Sequence, residues 1–107
     1  MSKEDFLKID YVNDFFSYIH KKNYSSNTVI SYTSDLYYFY LFINKSLLIA
    51  TEDDIRLYLS NLKKSNEAST SIRRKISSFK SFYKFLYKNN YIEKESYPLV
   101  RIAYPKT

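Results

Sequence analysis

A chain of 107 residues, 45% of them hydrophobic, is long enough to bury a real core and short enough to form a single domain. It has no glycine, no cysteine and one histidine, His20, which excludes glycine-dependent phosphate loops, thiolate zinc sites, disulfides, cysteine nucleophiles and two-histidine metal motifs, so no cofactor or metal is expected. The net charge of +6 points instead to a polyanionic partner.

No apolar run approaches the ~18 residues of a membrane span, and the opening MSKEDFLKID is too polar for a signal peptide. A cytoplasmic protein without membrane contact is expected. The charge is uneven: residues 1–60 carry 6 basic and 8 acidic side chains, residues 61–107 carry 11 and 3. The positive field belongs to the second half.

Four amphipathic helices can be read in chain order, with no period-2 alternation to suggest a strand. The first spans about Asp10 to Asn23, with Val12, Phe15, Phe16 and Ile19 on one stripe. His20 lies beside that stripe and reads as a packing or solvent-facing imidazole. The second starts after Ser25 or Ser26, whose hydroxyl can accept from a first-turn amide, and runs to about Asn44. Val29, Tyr32, Leu36, Phe39, Tyr40 and Ile43 share one side. Its opposite side begins with Asn27, Ser31 and Ser34, facing solvent or a ligand, and continues with Tyr38, Leu41 and Phe42, which read as buried again.

The third helix is announced by TEDD, where Thr51 can cap and Asp54 can bond back. Consecutive acids point in different directions around a helix start, so Glu52, Asp53 and Asp54 read as dipole-favoured capping residues rather than a metal or acid–base cluster. Ile55, Tyr58, Leu59 and Leu62 form its core face.

The fourth and longest helix follows SNEAS and runs from Ser69 or Thr70 to about Asn89. Ile72, Ile76, Phe82, Tyr83 and Leu86 cluster around Phe79, while the far side holds Thr70, Arg73, Arg74, Ser77, Lys80, Ser81, Lys84 and Lys88. No acid occurs between Glu67 and Glu93, so the repulsion among these cations reads as uncompensated within the protein and relieved by an external anion. Small hydroxyls interleaved with cations allow close approach to a phosphate backbone, with Arg and Lys reaching phosphates or base edges. Ser71 lies nearer the flank of this face and Lys75 close to the apolar stripe; Arg74, Ser77 and Ser81 are its centre. After Asn90 the segment YIEKESYPLVRIAYPKT, with two prolines, reads as an extended arm.

The second helix, SSNTVISYTSDLYYFYLFI, matches the pattern S-x-N-T-x-x-x-Y-x-x-D-L-x-x-F-x-x-F at Asn27, Thr28, Tyr32, Asp35, Leu36, Phe39 and Phe42. ATEDDIRLYLSNL is similar to a short helix introduced by T-x-x-D-I, and ASTSIRRKISSFKSFYKFLYKNNYI to one ending in L-x-S-F-Y-x-F-L. In this order the three resemble, over nearly the whole chain, the N-terminal core-binding (SAM-like) domain of tyrosine recombinases of the phage-integrase and Xer type. In the tail Tyr97-Pro98 stands where the family has Asn-Pro, while Ile102 and Pro105-Lys106 fit.

The resemblance implies an all-α, compact four-helix SAM-like orthogonal bundle with an extended C-terminal tail. It implies one domain over residues 1–107, with 91–107 leading toward a catalytic domain absent from this chain. None of the 13 tyrosines is then catalytic, and the chain is not itself an enzyme. The implied partners are double-stranded DNA, clamped for recombination, and other recombinase subunits in a synaptic complex, the fragment alone being monomeric. Carried over by position, Asn27, Thr28 and Ser31 would contact DNA from the second helix, and Ser71, Arg73, Arg74, Ser77, Lys80 and Ser81 from the fourth. Thr70 and Lys84 join them on the helical wheel. Reversing charge at Arg74 and Lys80 together is expected nearly to abolish duplex binding while leaving helicity and thermal unfolding intact. Two other readings stay open: a helical protein-interaction module using Tyr37, Tyr38, Leu41 and Phe42, and a small stand-alone DNA-binding regulator.

Overall fold

The computed structural model describes residues 1–106. Its α-helices are α1 (Lys3–Leu7), α2 (Asp10–Lys21), α3 (Ser26–Ile43), α4 (Glu52–Lys64) and α5 (Ser69–Lys88), and there is no strand among the described residues. Single 3₁₀ turns lie at Leu47–Ile49 and Lys94–Ser96. No helix among the described residues is long and apolar enough to cross a membrane. The fold is the expected all-α bundle, preceded by one short helix that periodicity did not indicate. That helix, α1, is capped by the Ser2 hydroxyl accepting from the Asp5 amide, and its Phe6 is buried against the rings of Tyr37 and Tyr40.

The helix ends follow local chemistry. Ser25 accepts from the Thr28 amide at the start of α3. Thr51 and Asp54 form a reciprocal capping box at the start of α4, with 2.8 Å from the Thr51 amide to the Asp54 carboxylate and 3.2 Å from the Asp54 amide to the Thr51 hydroxyl. Partial burial pushes the Asp54 carboxyl up, but Lys45 at 2.8 Å and the Thr51 bonds outweigh it and hold it below its ordinary value. Thr51→Ala is expected to cost about 1 kcal/mol, read as a lower urea midpoint at unchanged slope.

The chain has no glycine to terminate helices, and asparagine takes over that work: Asn23, Asn44, Asn66 and Asn90 all adopt left-handed backbone, with φ between 53° and 64°. Asn tolerates this region better than other residues with a Cβ. After α2, α4 and α5 the turn closes with the paired bonds of a Schellman motif, as from the Tyr24 amide to Ile19 and from the Asn23 amide to His20.

The axis of the core is α5, which packs against α2 and α3. Ile72, Ile76, Phe79, Phe82, Tyr83 and Leu86 are all buried, as its wheel predicts. Phe82 meets Phe15 of α2 edge-on at 5.2 Å, and Phe79 meets Phe39 of α3 at 4.9 Å. The Tyr83 hydroxyl donates to the Leu47 carbonyl at 2.8 Å, giving its buried oxygen a partner.

One expectation is corrected. Tyr38, Leu41 and Phe42 are exposed rather than buried: α5 takes most of the packing of α3, and on this side Tyr38 is met by the Lys3 ammonium and Phe42 by the ring of Tyr58. The extended tail also packs back on the bundle, which its aperiodic sequence did not indicate: Pro98, Leu99 and Ile102 are buried, and Arg101 bonds Glu52 at 3.0 Å while its carbonyl accepts from Arg56. The two guanidinium hydrogen bonds hold the Glu52 carboxyl below its ordinary value.

Candidate nucleic-acid interface

The outer face of α5 carries the predicted cations, but they are not equivalent. Arg74 makes a bidentate pair with Asp35 of α3, from Nε at 3.1 Å and Nη2 at 2.7 Å. Asp35 is 2% exposed, whereas the Arg74 side chain is 43% exposed, so the pair spans the boundary between core and surface. Lys75 approaches Asp35 at 3.4 Å and Glu67 at 3.5 Å. The expected uncompensated repulsion along α5 is therefore relieved in part by acids from outside the helix. The Asp35 hydrogen bonds push the Arg74 pKa up, fixing its charge and its plane.

Pinning by Asp35 leaves the Nη1 donors of Arg74 uncommitted. Arg74 also lines a shallow cleft of about 250 Å³ with Asn27, Thr28, Ser31 and Tyr32. The structure thus joins the three second-helix candidates to the fourth helix through one guanidinium. The Thr28 hydroxyl lies 2.8 Å from that of Ser25, so the cap also orients this wall.

Farther along α5, Lys80, Ser81, Lys84 and Lys88 line an open groove of about 530 Å³ walled by Tyr18 and Tyr24. Lys84 and Lys88 are exposed and make no ion pair or hydrogen bond among the described residues. Between cleft and groove, the tail lies on the helix: Arg73 donates to the Pro105 carbonyl at 2.6 Å, and the Ser77 and Tyr104 hydroxyls are 3.0 Å apart. The ring of Tyr104 stands 4.3 Å from the Lys80 ammonium and 5.2 Å from the Arg73 guanidinium carbon. Ser77 and Ser81 are half-buried. Thr70 is exposed and Ser71 half-buried in the first turn of α5, and neither lines the cleft or the groove.

Sequence reading missed Asp35, the groove walls Tyr18 and Tyr24, and Tyr104 as parts of this surface. Asp35 had a signal: it is the one charged residue among the 18 of α3. A lone carboxylate in an apolar helix has to find a cation when the helix is buried. Tyr104 had none, since an aperiodic segment does not reveal where it packs.

The sequence matches the family described as "Phage integrase, N-terminal SAM-like domain" over residues 12–90. The chain belongs to this family. Among similar proteins, the tyrosine recombinase XerC of Listeria monocytogenes is 38% identical over 94 residues, 83% of this chain and 31% of that protein. XerC of Oceanobacillus iheyensis is 35% identical over 102 residues, 91% of this chain and 33% of that protein. This SAM-like domain therefore spans about a third of the length of the curated relatives it matches. No solved structure gives a significant match. Among the described residues its elements contain no group of acids and histidine placed to hold a metal ion.

Proposed function

We propose that this SAM-like domain docks a tyrosine recombinase on duplex DNA, with α5 and the start of α3 against the backbone, while the strand-transfer chemistry resides in another domain. The observation that carries the reading is the cationic outer face of α5, with the Arg74 cleft toward one end and the lysine groove toward the other. Its exposed Lys84 and Lys88 have no acid partner among the described residues, and its small Ser81 allows close approach. Backbone contacts supply affinity and register; base contacts from Asn27 or Arg74 and the shape of the duplex add discrimination.

Two buried tyrosines are poorly suited to act as nucleophiles. Burial pushes the Tyr58 hydroxyl up to about 12 and that of Tyr83 well above its ordinary value, opposite to what a nucleophile requires. A cytoplasmic location is part of this reading. Other recombinase subunits are the second proposed partner, with exposed Tyr38 and Leu41 on α3 as an available surface.

Salt dependence tests the docking reading directly. If about four to six phosphates are neutralised, log K is expected to fall against log salt with a slope of about −4 to −5. Duplex binding that ignores salt, or no binding at low salt, overturns it.

A further inference from the structure

We infer that the tip of the C-terminal tail, Tyr104–Lys106, is a releasable strap that competes with DNA for the middle of the α5 face. This rests on the docking reading above and adds an internal competitor to it. Three of the candidate contacts, Arg73, Ser77 and Lys80, are engaged by this short segment: one by a backbone carbonyl, one by a phenol hydroxyl and one by the face of the same ring. A duplex lying along α5 meets Tyr104 before it meets those side chains.

The strap has a fixed base and a weakly held tip. At the base, Leu99 is 1% and Ile102 5% exposed, and Arg101 is tied to Glu52 and to Arg56. The base therefore stays in place while Ala103, which is exposed, can absorb a backbone rotation. At the tip, the part-buried Arg73 bond to the Pro105 carbonyl is the firmest tie, while Tyr104 is 39% exposed and its cation–π and hydroxyl contacts sit at the surface, where such contacts are weak. A phosphate is a better partner for Arg73 and Lys80 than a carbonyl oxygen or a ring face, because it sets a full negative charge against donors that are themselves charged. The cations thus stay covered by uncharged partners in the free protein and exchange them for phosphates on the duplex. Apparent affinity is then reduced by the fraction of time the strap is closed.

The test compares the intact 107-residue chain with Tyr104→Ala and Tyr104→Phe, binding a fluorescently labelled duplex of mixed sequence. Helicity by circular dichroism verifies that each variant is folded. Tyr104→Ala is expected to bind about three- to tenfold more tightly, with Tyr104→Phe, which keeps the ring but loses the Ser77 bond, falling between. A second readout follows the strap itself. The side-chain protons of Lys80 beneath the Tyr104 ring are expected to be shifted upfield by ring current in free protein, and to lose that shift when the duplex saturates the chain. Equal or weaker binding by folded Tyr104→Ala overturns the strap, as does a Lys80 shift that persists in the saturated complex. Failure of the intact chain and both variants to bind any duplex at low salt removes the docking reading, and the strap with it.

Discussion

Lys84→Glu combined with Lys88→Glu is expected to weaken duplex binding by roughly 10²-fold or more and to flatten the salt slope by about 2, while circular dichroism and thermal unfolding stay close to those of the parent chain. Both ammonium groups line the open groove and are exposed, without an ion pair or hydrogen bond among the described residues. Their replacement breaks no hydrogen bond or ion pair among the described residues. The only folding cost comes from acids near the negative end of the α5 dipole, about 0.3–1 kcal/mol for each at most. For DNA, each substitution removes a counter-charge and adds a repulsive one. The pair also lies away from Tyr104, so a loss of binding here cannot be confused with strap release. Unchanged affinity in this folded variant removes α5 from the interface.

The sequence made the helices readable because their boundaries are written locally. Ser25 and Thr51 cap where a hydroxyl can reach an amide three residues on, and the stripe around Phe79 lies where a 3.6-residue repeat places it. Helix α1 escaped because its 5 residues are too few to display a period. The cationic face was legible as composition along one helix. Its internal partners were not, since Asp35 lies 39 positions from Arg74 and Tyr104 lies 27 from Ser77. Pairings at that separation depend on how helices stack, which no local window contains. The outward side of α3 was misjudged for the same reason: Tyr38 and Leu41 are apolar enough for a core, and only the number of packed layers decides that they face solvent.

Arg74 shows why charge alone does not identify a DNA contact. Arg74→Glu is expected to lower stability by about 3 kcal/mol, comparable to losing one partner of a buried pair. For a domain of this size that corresponds to a fall of on the order of 15 °C in Tm. The expectation that charge reversal at Arg74 spares folding is therefore replaced. The substitution removes both guanidinium bonds from a carboxylate that is 2% exposed and sets a second carboxylate beside it, leaving Lys75 at 3.4 Å as the remaining counter-charge. Adding Asp35→Asn to Arg74→Glu is expected to recover part of the loss, because one of the two facing charges is gone; the non-additivity in a double-mutant cycle measures the pair. Weak DNA binding by Arg74→Glu would then mix unfolding with a lost phosphate contact. Arg74→Lys separates the two: it retains the charge but lacks the fork that serves Asp35 and the cleft simultaneously. An Arg74→Glu chain that melts with the parent, or an Asp35→Asn addition that only destabilises it further, shows that the pair does not join α3 to α5.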